Sequence, residues 1–358
     1  MKYFNILLFL TLATLAQGQL SETDKIISQI GYKLDSTLNA GSIDYMNEVF
    51  PVDKFLEKII QDDGGNNDIK EFNAGFRSNF KSVIGHQLIP SIEKGASYDF
   101  LNYSEYEEFY TIHFRFYTDG AINYHQFFLK KDINNEFFIY DVYIYMIGES
   151  LSQTYINLYN SVISSMVEEN LIFNDLSKLI NLKKLMQSQK MEEAKALLKS
   201  INSDLKNTKS FKILELQLVA DNNDEYLKVI EEYAELFPED ASLFLVTIDK
   251  FFLDKDYDKV LEMVDSLYSY TNDDFLDLYR GNCYLMKEDN EKALFYFERL
   301  NSNFPTYTEG YDTLLMIYEY EEDYKKATDL LQKLITTFNI TKEQLSPASI
   351  KEAHPDLD

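Results

Sequence analysis

His125 is the first residue to consider for chemistry. It lies in a segment that alternates between apolar and polar residues, as β-strands do, and the alternation places it on a face of otherwise apolar side chains. A buried imidazole among phenylalanines could act as a general base at the bottom of a pocket, with Asp141 as its partner. The other interpretation is a neutral core histidine, hydrogen-bonded to a carbonyl or a tyrosine.

Few other residue patterns in the sequence point to catalysis. His113 and Arg115 fall on the opposite, mixed face of the same strands, where a solvated surface or a contact with a later part of the chain is expected. The sequence contains no Gly-rich phosphate loop, no nucleophile elbow and no paired-cysteine motif. No two histidines have the i, i+4 spacing of a helical zinc site. We therefore expect neither a cofactor nor a metal, and a non-enzymatic function is favoured.

Two further features have simple structural interpretations. Cys283 is the only cysteine, so no intramolecular disulfide can form, and its place in a helical pattern predicts a small core residue instead of a nucleophile. The acidic run from Glu319 to Asp323 lacks the alternating oxygen ligands and the glycine of a calcium loop. We expect it to form a solvated turn.

The charge of the chain limits its partners. Among 358 residues, 60 are acidic and 34 are basic, which gives a net charge of −26. Nucleic acids and anionic membrane surfaces both favour a positive patch, so neither is an expected partner. Neutral or basic partners, or partners held in apolar grooves, fit better.

The first 18 residues have the pattern of a secretory signal peptide. A basic Lys2 precedes an apolar run from Ile6 to Leu15, and the small residues Ala16 and Gly18 precede a predicted cut. No cysteine follows for lipid attachment, and no later run reaches the roughly 18 apolar residues of a membrane helix. We expect a secreted or periplasmic protein without a membrane span, and the Lys-, Asn- and Ile-rich composition suggests a bacterial source.

The stretch from Asp274 to Pro305 predicts two short antiparallel helices joined by a turn. Small residues at Gly281 and Ala293 would let the helices approach closely. Proline ends the second helix, because it lacks an N–H and disfavours helical dihedrals in the preceding residue. Large residues that could fill the gap to a neighbouring hairpin are Tyr284, Phe297 and Leu300. This spacing resembles the tetratricopeptide repeat, although the usual early Trp is missing.

The same pattern recurs along the second half of the chain. Its small position returns about every 34 residues, at Ala194, Tyr226, Val260, Ala293 and Ala327. The unit from Thr308 to Phe338 is the second good match, with Tyr311, Tyr318, Ala327 and Leu331. Pro238 takes the place of Pro305 in a more degenerate unit, and a weaker first unit spans 175–204. The resemblance implies an all-α helical solenoid over 149–341, with a groove for a peptide or a helix of a partner.

The region 19–148 predicts an α+β domain. Ser21 and Asp24 form a helix-start signature, a second helix at 43–60 breaks at Pro51, and a third runs from about 69 to Pro90. Alternating segments at 107–117, 121–131 and 137–146 then predict a three- or four-stranded antiparallel sheet.

The dipeptide Asp119-Gly120 sets the predicted register of the hairpin. A two-residue turn there pairs Thr118 with Ala121 and Phe114 with His125. The order of elements resembles the cystatin-like or nuclear-transport-factor-2-like roll. That resemblance implies a conical pocket, lined here by His125, Phe127 and Tyr143.

The leading hypothesis is an exported scaffold that binds a protein or peptide partner in the groove of the helical stack. The alternative is a small-ligand or enzymatic pocket in the sheet domain, with the repeats serving for assembly. A third possibility is that the sheet domain only caps the first repeat. Residues 342–358 are expected to form a short cap and tail.

Overall fold

The structure is a computed structural model. It describes residues 21–62, 64–80, 83–106, 109–118, 120–168, 175, 178–179, 181–182, 184–186, 188–201, 204–237 and 243–341. The predicted signal peptide, Asp119, Pro238 and the predicted tail at 342–358 lie outside these residues. The chain divides into two compact units, Met1–Leu214 and Glu215–Asp358. Within the first unit, Lys209 Nζ donates to the carbonyl of Gly148 at 2.6 Å.

In the described part of the chain, five helices precede the sheet: α1 (Glu22–Asn39), α2 (Asp44–Val49), α3 (Val52–Leu56), α4 (Asn67–Asn79) and α5 (Val83–Ile92). The predicted start of α1 is confirmed, since Ser21 Oγ accepts from the Asp24 amide while the Asp24 carboxylate accepts from the Ser21 amide. The predicted break at Pro51 separates α2 from α3. The single helix expected up to Pro90 is instead two helices, and Pro90 lies inside α5.

The sheet has five antiparallel strands in sequential order: β1 (Ser97–Tyr106), β2 (Phe109–Thr118), β3 (Ala121–Lys131), β4 (Phe137–Ile144) and β5 (Glu149–Ser150). The three predicted strands are β2 to β4, and the two edge strands raise the total above the expected three or four. The predicted register is confirmed, because Thr118 pairs with Ala121 and Phe114 with His125. Gly120 has φ +80, a dihedral that glycine adopts at little cost.

One face of the sheet packs against the helices to form the core of the first unit. Side chains with no exposed surface there include Ile27, Leu34, Leu38, Tyr98, Ile112, Phe114 and Phe127. The approach of α1 to β1 depends on Gly31, because an added Cβ would lie 2.4 Å from the Phe100 ring. The core on this face is therefore filled by side chains.

The other face of the sheet is buried as well. Arg115 is 3% exposed and His113 5%, which excludes the solvated surface that was one expectation for these two residues. Arg115 donates to the Asp99 carboxylate at 2.7 Å, and His113 Nδ1 lies 2.8 Å from Asn102 Oδ1. These partners across β1 and β2 satisfy polar groups that burial would otherwise penalise.

An all-helical region follows the sheet, as predicted. Its helices are α6 (Leu151–Glu168), α7 (Met191–Lys199), α8 (Lys209–Val219), α9 (Asn223–Leu236), α10 (Leu243–Leu253), α11 (Tyr257–Thr271), α12 (Asp277–Met286), α13 (Asn290–Asn303), α14 (Thr308–Tyr320) and α15 (Tyr324–Phe338), with 3-10 turns at Asp204–Asn207 and Asp274–Leu276. From α8 onward, consecutive helices form hairpins, each with a first and a second helix. The two predicted helices of 274–305 are α12 and α13, and those of 308–338 are α14 and α15.

The turn inside the hairpins repeats with the period of the small position. A residue with φ near +58 lies five residues before that position at Gln189, Lys255, Glu288 and Glu322. After the last three of these residues comes an N-cap whose side chain accepts from the backbone amide three residues later, at Asp256, Asp289 and Asp323. Asn222 caps α9 in the same way, without a positive-φ residue before it. The recurrence is thus a property of the backbone as well as of the sequence.

Four of the five small positions are fully buried, as the repeat pattern predicts. Ala194, Val260, Ala293 and Ala327 are fully buried, whereas Tyr226 is only partly buried. The close approach at Gly281 is confirmed, since an added Cβ would meet the Phe297 ring at 2.8 Å. Helix α13 ends at Asn303, and Phe304 has the non-helical dihedrals expected before Pro305.

Candidate functional site

His125 is a neutral core residue with both ring nitrogens engaged. Asn123 Oδ1 accepts from the amides of Tyr124 (2.8 Å) and Met146 (2.9 Å), so its Nδ2 must face His125 Nε2, 3.3 Å away. Nε2 is then the acceptor, and the proton on Nδ1 is donated to the Tyr98 hydroxyl at 2.9 Å. Burial lowers the pKa of His125 to about 4. This imidazole binds its neighbours and has no nitrogen left for a substrate.

The structure does not bring Asp141 to His125, so the predicted pairing of these two residues is wrong. His125 lies opposite Ile144 in the β3–β4 register, while Asp141 lies opposite Phe128 beside a bulge, on the other face of the sheet. Tyr143 lies opposite Gln126 and also belongs to that other face. The three residues proposed to line one pocket, His125, Phe127 and Tyr143, are therefore divided between the two faces.

Asp141 is instead the centre of a buried connection between three segments. One carboxylate oxygen accepts from the amides of Val142 (2.8 Å) and Ser152 (3.2 Å). The other accepts from the Ser152 hydroxyl and from Lys58 Nζ at 2.7 Å. Lys58 also donates to the Tyr140 carbonyl at 2.9 Å, and burial lowers its pKa. These contacts fix the segment after α3 and the start of α6 to β4, which is a structural role.

The predicted repeat residues also act in packing. Tyr284 stacks on Tyr296 with 5.5 Å between ring centroids, and Tyr311 is 1% exposed. Tyr318 donates to Glu298 of the preceding hairpin at 2.7 Å. Cys283 is fully buried, and burial raises its thiol pKa to about 12, so the core interpretation of this cysteine is confirmed.

A buried ion cluster makes the second unit rigid where its hairpins meet. Asp277, at the start of α12, has no exposed surface and accepts from Arg280 at 3.0 Å and from Nε and Nη2 of Arg299. Arg280 also donates twice to Asp265 of α11, at 3.0 and 2.8 Å. The cluster therefore joins α11, α12 and α13 into one platform.

Helix α12 of this platform and the first helices on either side of it, α10 and α14, carry an apolar row, which we define as Leu253, Met286 and Tyr320. Each lies at the end of the first helix of a hairpin, seven residues before the small position. Their exposed fractions are 44%, 56% and 79%. Val219 occupies the same position in the hairpin before and is buried. The row was not predicted from the sequence, because periodicity alone does not separate buried from exposed apolar residues.

Bonds between hairpins place the three side chains along one edge of the stack. Lys287, next to Met286, forms an ion pair with Asp258 at the start of α11. Asn290 Nδ2 donates to Glu321 Oε1, next to Tyr320, at 2.9 Å. Consecutive turns are thus adjacent.

Further apolar and acidic side chains surround the row. Phe252 and Leu285 precede its first two members and are half-buried, and Met316 lies one turn before Tyr320 and is 53% exposed. The exposed acidic residues nearby are Asp254, Glu288, Glu319, Glu321 and Glu322, and they outnumber the exposed lysines beside the row, Lys255 and Lys287. Of the acidic run at 319–323, Glu321 to Asp323 form the predicted turn between two helices, whereas Glu319 lies at the end of α14. The surface combines contact area with negative charge.

Metal-binding clusters and membrane-spanning helices are both absent from the described part of the chain. It contains no group of three or more His, Cys, Asp or Glu residues that could hold a metal ion. None of its helices is long and apolar enough to cross a membrane. No protein-family model matches the sequence, and no curated protein matches it either.

Proposed function

We propose that this protein is an interaction scaffold that holds a segment of a partner protein against the apolar row. The observation that carries the proposal is the row itself: three large apolar side chains, 44% to 79% exposed, at equivalent places in consecutive hairpins. Monomeric proteins rarely expose contiguous apolar surface without a use for it. The resemblance to tetratricopeptide repeats, which stays a prediction, implies the same kind of function.

The rigidity of the platform supports this function. Binding to a surface that is already ordered avoids the entropy cost of arranging it. The Asp277 cluster and the Tyr318–Glu298 bond hold α11 to α14 together without using the residues of the row. The helices that carry Met286 and Tyr320 are thus held to their neighbours by contacts that do not involve the row.

The sheet domain offers less support for the alternative of a ligand pocket. Its best candidate for chemistry, His125, is bonded on both nitrogens, and the core around Phe114 and Phe127 is filled. If the predicted signal peptide acts as such, the partner belongs to a secreted or periplasmic compartment.

Site-specific photo-crosslinking tests the scaffold. A photoreactive phenylalanine analogue replaces Met286 or Tyr320 in cells that make the protein, and Glu235 or Asp329, exposed on second helices, serve as control positions. We expect discrete protein adducts at the two row positions, and we expect a Leu253→Glu substitution in the same chain to reduce them. Adducts no stronger at the row than at the control positions would refute the proposal.

A further inference from the structure

Beside the row, each first helix has further residues at positions that are equivalent from one hairpin to the next, and we call these residues together with the row the strip. The residue types in the strip change from α10 to α14. At the position eight residues before the small residue, α10 has Phe252 and α12 has Leu285, whereas α14 has Glu319. One further position, two turns earlier, has Leu245, Leu278 and Asp312 in the same order. The four apolar residues of this set are half-buried, and both carboxylates are exposed.

The strip therefore has two zones. Over α10 and α12 it is mainly apolar and continues the row at Leu253 and Met286, although Asp249 and Asn282 occupy the position that Met316 has on α14. Over α14 it is acidic at Asp312 and Glu319, with Met316 and Tyr320 as the apolar members between them. An occupant must offer apolar side chains to the first zone and positive charge to the second.

Resting on the proposed function, we infer that the occupant of this strip is a cationic amphipathic helix of a partner protein. Its apolar face covers α10 and α12, and its Lys or Arg residues meet the carboxylates of α14. The strip crosses three first helices spaced about 10 Å apart, so about 14 residues of helix span it at 1.5 Å per residue. The net charge of −26 favours such a partner over an acidic one and speeds its encounter.

Charge complementarity is the argument for a cationic partner, and the alternatives fit less well. An acidic amphipathic helix would bring like charges to Asp312 and Glu319, which opposes binding. A second copy of this chain would bring another net charge of −26 to the same surface. A purely polar cationic segment would leave the exposed Leu253 and Met286 without apolar contact.

Fluorescence anisotropy with three synthetic peptides tests the inference on the full chain. One probe is a helix with Leu on one face and Lys on the other, the second replaces Lys by Glu, and the third keeps the Lys residues but replaces Leu by Ser. We expect the Leu/Lys probe to bind about tenfold more tightly than either of the others, which corresponds to about 1.4 kcal/mol. Equal binding of the Leu/Glu probe, or of the Ser/Lys probe, would overturn the inference.

A charge-matched pair of variants separates a local effect from the charge of the whole protein. Asp312→Lys with Glu319→Lys changes the acidic zone, and Glu235→Lys with Asp329→Lys makes the same change on second helices. We expect the first double variant to weaken the Leu/Lys probe about tenfold and to improve binding of the Leu/Glu probe, while the second leaves both nearly unchanged. Equal weakening by both double variants would show non-specific attraction and refute the assignment.

Two further measurements keep the inference falsifiable. If Lys at these places disturbs folding, as judged by circular dichroism, Asp312→Asn with Glu319→Gln removes the charges with little change in shape, and a smaller loss in the same direction is expected. If adducts form at Met286 and Tyr320 in cells while the Leu/Lys probe is not preferred, the scaffold stands and the cationic partner is refuted. If neither occurs, both proposals are refuted.

Discussion

The stability of the sheet domain should depend on pH through two buried histidines, and His125 gives the sharpest test. Burial lowers the pKa of His125 and of His113 to about 4 in the folded protein, whereas a histidine in an unfolded chain titrates near 6.5. Because the folded-state pKa is the lower one, protonation favours the unfolded state. The stability that each neutral imidazole contributes is fully present above about pH 6.5 and is lost as the pH falls toward the folded-state pKa.

The expected size of the effect follows from these values. Between pH 7.5 and 5.5, each histidine should lower the free energy of unfolding by roughly 1.3 kcal/mol. The substitution His125→Gln removes one of the two titrating groups and keeps an amide that can bond with Tyr98. Its stability should therefore fall by about half as much as that of the wild type over this interval.

The assay has to report on the sheet separately from the helical unit. Urea unfolding at each pH, followed by a short pulse of hydrogen exchange at one fixed pH, reads the fraction of β2 and β3 that is unfolded. His113→Gln is the matched control, and the double variant should be nearly independent of pH over this interval. If His125→Gln loses as much stability as the wild type between the two pH values, His125 is not a buried neutral group and its proposed hydrogen bonding is wrong.

Three more predictions follow from packing. Gly281→Ala should destabilise the second unit by about 1 to 3 kcal/mol, because the new Cβ would collide with the Phe297 ring; Gly310→Ala, where the nearest atom is 3.5 Å away, should be neutral or stabilising in the same thermal melt. Cys283 should not react with an aromatic disulfide reagent until the protein unfolds, because its thiol is buried with a pKa of about 12, and rapid reaction under native conditions would contradict this placement. Asp141→Ala should cost about 3 to 5 kcal/mol in urea unfolding of the first unit, because it leaves a buried lysine without its partner; a loss below 1 kcal/mol would contradict that role.

The sequence predicted the sheet best where a short turn determines the pairing. Asp119-Gly120 allows only two residues between β2 and β3, so one choice of turn sets every pair, including Phe114 with His125. Between β3 and β4 the five-residue connection sets no register, and a bulge after Phe128 shifts it further. This is why the partner of Asp141 could not be predicted while that of His125 could.

The first strand was missed for a similar local reason. Its alternation of Tyr98 and Phe100 is interrupted by a bulge between Phe100 and Asn102, so the two halves of β1 do not share one period. The burial of the second face was equally hidden. A strand that carries Thr111, His113 and Arg115 on one side has the pattern of a strand facing water, and only their hydrogen bonds in the fold make burial tolerable.

In the helical region, the residues that cap the second helices are a more regular sequence signal than the small residues. An Asp or Asn lies four residues before the small position at Asn222, Asp256, Asp289 and Asp323, and each of them caps a second helix. This signal persists where Tyr226 and Val260 replace alanine. The left-handed residue before the last three caps could not be predicted, because it falls on Lys255, Glu288 and Glu322, which have no special preference for that conformation.

The apolar row differs from the aromatic groove that the composition suggested. With 27 Tyr and 26 Phe, the chain suggested an aromatic groove, yet many of these rings fill the sheet core, and the row contains one aromatic residue, Tyr320. At the equivalent position Val219 is buried, so this place in the hairpin can serve packing. In the next three hairpins the side chain is larger and exposed, which adds nothing to the core. Packing inside the chain does not account for these exposed side chains, and the partner contact that we propose would give their apolar character a physical reason.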